Sequence, residues 1–164
     1  MKKIIFIRHS KSNWEIENLT DFNRSLSSRG EKDAPVMGAE ILERVSNIQH
    51  VFSSSSIRTR QTVKFMFGEK IATTFMDKLY LPSVNDILEL IHQTNEKLDT
   101  IAIVSHNPAT TKICNQLQNE IQFQNIPTSG CVCILFDVEK WNEIQNGKLE
   151  FYSFPKKDKN YLVL

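Results

Sequence analysis

The chain has 164 residues, 20 Lys and Arg against 19 Asp and Glu for a net charge of +1, and 40% hydrophobic residues. This is the size of one domain on the usual prior of roughly 100–200 residues, long enough to bury a core without disulfide or metal staples. The near-zero charge excludes a broad cationic field for a nucleic-acid backbone, and three cysteines, with Cys131 and Cys133 two apart, do not form a secreted disulfide framework.

Met1-Lys2-Lys3 before an apolar run resembles the start of a signal peptide, but Arg8 and His9 end that run after Ile4-Ile5-Phe6-Ile7. An h-region needs roughly 7–15 apolar residues, and no stretch reaches the ~18 of a membrane span. The expectation is a cytoplasmic protein.

Short apolar runs then alternate with amphipathic stretches, as in an α/β domain. Residues 3–7 read as a buried strand. Residues 30–45 read as a helix with Met37, Ile41 and Val45 spaced four apart, in which Pro35 is tolerable only near the first turn. Residues 48–52 form a second strand, four serines follow at 53–56, and a helix covers 57–67. A weaker strand at 71–76 precedes a helix at 83–97. Residues 100–104 are a β-branched run and hence a central strand. Asn107 and Pro108 then supply an N-cap and an N1 proline for a helix reaching Leu117. Residues 131–138 and 149–154 read as closing strands, the second at a sheet edge. The lysines at 156, 157 and 159 read as a solvated tail. The whole, 1–164, reads as one domain: a three-layer α/β/α sandwich with a mostly parallel central sheet.

Polar residues gather after three of these strands. Arg8-His9-Ser10-Lys11-Ser12-Asn13-Trp14 follows the first, Ser53 to Thr62 the second, and Ser105-His106-Asn107-Pro108 the run at 100–104. Ligands of open α/β sheets sit outside the carboxyl ends of the strands, so these segments are expected to converge on one pocket. Its contents suit phosphate. Arginine offers a planar, permanently charged fork to phosphoryl oxygens, and a helix N-terminus after the serines adds N–H donors. One histidine can attack phosphorus while a second neutralises its oxygens. Phosphoryl transfer needs mainly positioning and charge stabilisation, so such a site requires no metal and no other cofactor.

At these residues the chain resembles the histidine phosphatase superfamily, the phosphoglycerate mutase-like enzymes. Arg8-His9-Ser10 is similar to its Arg-His-Gly signature, Arg58 before Gln61-Thr62 to its second, and Ser105-His106-Asn107-Pro108 to the segment of its second histidine. Asp21, Arg24, Leu26, Gly30, Asp33-Ala34, Leu79-Tyr80, Pro127-Thr128, Trp141 and Pro155-Lys156 resemble the short SixA-type phosphohistidine phosphatases. The resemblance implies a phosphorylated intermediate on nucleophilic His9, with Arg8, Arg58 and His106 gripping the phosphoryl oxygens and water releasing phosphate. Ser12 and Asn13 would line the pocket, with Asn107 capping a helix beside it.

Two departures stand out. Ser10 replaces the usual glycine and narrows the space for backbone near the phosphate. The carboxylic acid that many members carry on an insertion has no counterpart: Asp77, Asp86 and Glu89 match no family motif. Imidazole, with a pKa near 6.5, is far easier to expel than an alkoxide, so the missing acid favours phosphohistidine on a partner protein. The alternatives are a small-molecule phosphomonoesterase acting on a sugar or nucleotide phosphate, and a non-catalytic phosphate- or phosphoprotein-binding module. Outside the motifs the expectations are ordinary. Arg60 is a surface arginine, His50 and His92 are structural or surface histidines, and Cys131 and Cys133 are core residues, not metal ligands. Trp14 either walls the pocket entrance or simply packs.

Overall fold

The computed structural model describes residues 1–156. Its strands are β1 (Lys2–Arg8), β2 (His50–Ser54), β3 (Thr73–Met76), β4 (Thr100–Ser105), β5 (Cys131–Phe136) and β6 (Lys148–Ser153); its helices are α1 (Ser28–Arg44), α2 (Ile57–Phe67), α3 (Val84–His92) and α4 (Ala109–Leu117). The six strands form one sheet in the order β3-β2-β4-β1-β5-β6. Neighbours from β3 through β1 pair in parallel, whereas β5 runs antiparallel to β1 and β6 antiparallel to β5. The sheet is therefore mixed and mostly parallel, with β6 at an edge as expected.

Both faces of the sheet are buried, as parallel strands require. Successive side chains of β1 point to opposite faces: Ile5 and Ile7 pack with Ala34, Met37 and Ile41 of α1 and with Val63, Met66 and Phe67 of α2. Ile4 and Phe6 pack with Ile87 and Ile91 of α3 and with Ile113 and Leu117 of α4. The three-layer sandwich follows from this alternation. Gly38 lets α1 close on α2, since a Cβ there would lie 2.3 Å from the Met66 carbonyl oxygen.

Several boundaries differ from the sequence reading, each for a local reason. Helix α1 starts at Ser28 because the Ser27 hydroxyl caps it, accepting from the Gly30 N–H at 3.2 Å. Pro35 therefore lies in the helix interior, not near its first turn, and the carbonyl of exposed Glu31 loses its usual donor. Helix α3 ends at His92, not 97: Asn95 Oδ1 accepts from the Lys97 N–H at 3.0 Å and turns the chain. Strand β2 begins two residues late and runs on through Ser54, because the ladder pairs Ser53 with Val104 and Ser54 with Met76. Pro108, not Asn107, is the N-cap of α4, and the bond between them is cis. Strand β5 stops at Phe136 instead of 138.

Cys131 and Cys133 are fully buried in the α1/α2-side core, where burial raises both thiols well above their usual range and keeps them protonated. Of the lysine-rich tail, Lys156 is exposed and residues 157–159 lie outside the described residues. Among the described residues no helix is long and apolar enough to cross a membrane.

Candidate active site

The strand order places β4 between β2 and β1, and the register is flush at the carboxyl ends: Arg8 lies opposite Ser105 and Ser53 opposite Val104. The next residue along each strand, His9, His106 and Ser54, must then emerge side by side. The His9 and His106 ring centroids are 5.0 Å apart. Arg58, in the first turn of α2, reaches the same place, with Nη2 3.2 Å from His106 Nδ1. Three sequence segments thus converge, as the order of the strands dictates.

Hydrogen bonds determine the tautomers. His9 Nδ1 lies 2.8 Å from the Ser10 carbonyl oxygen, which can only accept, so Nδ1 carries the proton and Nε2 keeps its lone pair. Arg58 can only donate, so His106 Nδ1 is the acceptor, and His106 Nε2–H donates to Ser54 Oγ at 2.8 Å. Charge and burial agree. Burial is the main cause that holds His9 well below the ordinary imidazole range, aided by His106, Arg58 and Arg8. Burial likewise lowers His106 to about 3, with Arg58 pushing the same way and Asp21 opposing. Both rings are neutral in the free protein. His106 can donate to an oxyanion from Nδ1 once its bond with Arg58 opens and Nδ1 carries a proton, either gained or by the tautomer change in which Nε2 accepts from the Ser54 hydroxyl.

Both histidines bind protons less readily folded than unfolded, so their contribution to stability is present above pH 6.5 and is lost as pH falls below it, for His106 toward about 3. Thermal unfolding should show Tm decreasing over that window, with a shallower decrease in His106→Asn. An unaltered slope in that variant would contradict the buried neutral ring.

The second signature is a structural clamp around this chemistry. Gln61 Oε1 accepts from the Leu26 N–H at 2.7 Å, and Thr62 Oγ1 accepts from the Ser10 N–H at 2.9 Å while donating to the Arg58 carbonyl at 2.7 Å. Helix α2 thereby fixes the loop after His9. The Ser10 hydroxyl accepts from Ser129 Oγ at 2.6 Å, so the group that replaces glycine is engaged by its neighbour. Gly30 allows the close approach here: a Cβ would sit 2.2 Å from the Lys11 carbonyl oxygen.

Arg8 Nη1 donates to the Ile126 carbonyl at 2.8 Å, and Asn107 Nδ2 donates to the same carbonyl at 3.0 Å. Asn107 Oδ1 accepts from the Thr111 N–H at 3.2 Å, so this residue links α4 to the loop that holds Arg8. Ser12 bridges to Leu26 and the Asn13 N–H donates to Ser25; both line a surface cleft of about 460 Å³ with Lys11, Trp14 and Arg29, whose lining includes none of Arg8, His9, Arg58 and His106. Trp14 is 64% exposed with the Arg24 guanidinium stacked 3.9 Å from its ring centroid. Arg60 is exposed, donates to the Ser55 carbonyl and covers Phe75. His50 bonds Thr74, and His92 is exposed at the end of α3.

Among the described residues, the carboxylate bonded to the cluster is Asp21. Its Oδ2 accepts from Arg58 Nη2 at 2.9 Å and from the Tyr80 hydroxyl at 2.6 Å, and its carbonyl accepts from Arg58 Nη1 at 2.6 Å. Burial raises the Asp21 carboxyl, but the bonds from Tyr80 and Arg58 outweigh it and hold it below the usual carboxylate range. Asp77 is bonded to Ser55, Asp86 forms the capping box of α3 with Ser83, and Glu89 pairs with Lys78 at 2.5 Å. Sequence reasoning gave no role to Asp21, Tyr80, Ser54 or the Ile126 carbonyl. Asp21 and Tyr80 carried a signal as positions shared with the SixA branch. A backbone carbonyl carries none.

Two neutral histidines and two arginines at the carboxyl ends of parallel strands form a site of the kind that can bind a phosphoryl group. Comparison with known proteins agrees. The model of the histidine phosphatase superfamily (branch 1) matches residues 4–79. The fold superposes on a SixA protein of Agrobacterium tumefaciens with TM-score 0.80, covering 94% of this chain and 98% of that one at 22% identity. It also matches the protein histidine phosphatase SixA complexed with tungstate, with TM-score 0.77, 93% and 96% coverage and 19% identity. An uncharacterized protein of Mycobacterium leprae is 25% identical over 159 residues, 90% of this chain and 98% of that protein. The resemblance to the histidine phosphatase superfamily therefore holds, in sequence through the first half and in SixA-type fold over nearly the whole chain. Family match and fold together support a phosphatase.

Proposed function

We propose that residues 1–164 form one catalytic domain, a cytoplasmic, metal-independent phosphatase that removes phosphate from phosphohistidine on a partner protein. His9 Nε2 attacks phosphorus, the bond from phosphorus to the substrate nitrogen breaks, and the imidazole leaves with the electron pair. Arg8, Arg58 and, once its Nδ1 carries a proton, His106 bind the phosphoryl oxygens. Water then attacks phospho-His9, releasing phosphate and returning Nε2 its lone pair.

One observation supports this substrate class above the others. Asp21, the carboxylate that reaches the cluster, is held ionised by Arg58 and Tyr80 and so has no proton to give. An alkoxide leaving group needs that proton from the enzyme, whereas a phosphoimidazole can take one from solvent on its second nitrogen.

A phosphodonor panel tests the reading. A protein-borne phosphohistidine should be cleaved with kcat/KM about 10²-fold or more above that of an alkyl phosphomonoester, the usual worth of general-acid help. Equal rates would favour a small-molecule phosphomonoesterase. Failure of any donor to leave acid-labile phosphate on His9 would favour a binding module.

A further inference from the structure

Asp21 grips Arg58 twice, through its backbone carbonyl to Nη1 at 2.6 Å and through Oδ2 to Nη2 at 2.9 Å. The guanidinium is planar with fixed hydrogens. These two bonds engage the end formed by Nη1 and Nη2, so the hydrogen of Nη2 on the Nε side is the one that meets His106 Nδ1 at 3.2 Å. One edge of Arg58 is thus held by Asp21 while the other faces the histidines. The side chain of Arg58 is 6% exposed and that of Asp21 40%, so the carboxylate stands between solvent and a buried cation.

Asp21 is itself fixed. The Tyr80 hydroxyl donates to the same Oδ2 at 2.6 Å, and Phe22 meets the Tyr80 ring edge-on at 5.0 Å. Next to Tyr80, the Leu79 carbonyl accepts from Ser105 Oγ at 2.9 Å, one residue before His106. Tyr80, Asp21 and Arg58 therefore form a chain of bonds that ends where it began, beside the second histidine.

We propose that Asp21 is a positioning residue: with Tyr80 it clamps one edge of Arg58 so that the opposite edge meets the phosphoryl oxygens. This rests on the phosphatase reading above. Asp21 transfers no proton and touches no reacting atom. Its effect is on where the Arg58 charge sits, and a misplacement of about 1 Å at such a group costs roughly 10²-fold in rate.

The test compares Asp21→Ala, Asp21→Asn, Tyr80→Phe and the Asp21→Ala/Tyr80→Phe double variant of the full chain, by turnover of a phosphohistidine protein and by affinity for inorganic phosphate. Asp21→Ala should lower kcat roughly 10- to 100-fold and weaken phosphate binding, with a lower Tm because the buried Arg58 cation loses its carboxylate. Asp21→Asn should recover to within ~3-fold of wild type, since its amide oxygen still accepts from Nη2 and from Tyr80. Tyr80→Phe should cost less than Asp21→Ala, and the double variant no more than Asp21→Ala, because the hydroxyl acts through the carboxylate. Wild-type rates in Asp21→Ala, no recovery in Asp21→Asn, or additive losses in the double variant would each overturn the proposal. The phosphate-binding arm separates the two readings: a wild type that turns over no donor sinks the phosphatase, whereas unchanged phosphate affinity in Asp21→Ala sinks the clamp.

Discussion

Replacing His9 with Asn is expected to lower kcat about 10⁴-fold or more and to abolish acid-labile phosphate on the protein. The argument runs through the tautomer. His9 donates from Nδ1 to the Ser10 carbonyl and is neutral through burial, so the Nε2 lone pair is available without prior deprotonation. Asparagine can keep a donor for that carbonyl but offers no nucleophilic nitrogen. The variant should therefore fold and still bind phosphate through Arg8 and Arg58. Radiolabelled phosphodonor followed by acid treatment reads the intermediate directly. Label retained on the Asn variant would mean that another residue is the nucleophile. The wild type carries a second expectation: because the His9 pKa is depressed, the acid limb of kcat/KM should lie below the ordinary imidazole range.

Arg58→Lys is expected to lower kcat/KM roughly 10²- to 10³-fold, the usual cost of losing a preorganised donor to developing oxyanions. Lysine keeps the charge but not the planar fork. One ammonium nitrogen must reach from a single point the Asp21 carbonyl, its carboxylate and His106, which Arg58 reaches from two nitrogens held in one plane. Arg58→Ala should act on the pocket differently: the charge that helps depress His106 is gone, so the ring's pKa rises while burial, the larger cause, still holds it below the usual value. An NMR titration of His106 reads that shift. Wild-type turnover in Arg58→Lys would show that charge alone suffices.

These outcomes depend on contacts of two kinds. His9, Arg58 and His106 were legible as a group because each directly follows or opens an element with a strong local signal: the apolar run at 3–7, the β-branched run at 100–104, and a helix whose limits, Ile57 and Phe67, match the expectation. Once those strands are parallel neighbours, the polar residues past their carboxyl ends have nowhere else to meet. The clamp was not legible in that way. Asp21 lies in a single 3-10 turn and Tyr80 just after another, 59 positions apart in sequence. Neither has a periodicity to read. The polar end of β2 was missed for a related reason: Ser53 and Ser54 have no strand signal of their own and are held extended by pairing with β3 and β4.

By itself, then, the sequence determined the alternation of strands and helices, the burial of both sheet faces and the side chains that would meet at one end of the sheet. Those follow from hydrophobic period and connectivity, which are properties of short segments. Only the tertiary structure decided the state of those side chains. Which nitrogen of His9 carries the proton, that His106 accepts from Arg58, and that Asp21 is an anion bound to an arginine instead of an acid all depend on partners far away in the chain. Hydrogen-bond direction and desolvation belong to a place in space, and no local pattern of residues encodes them.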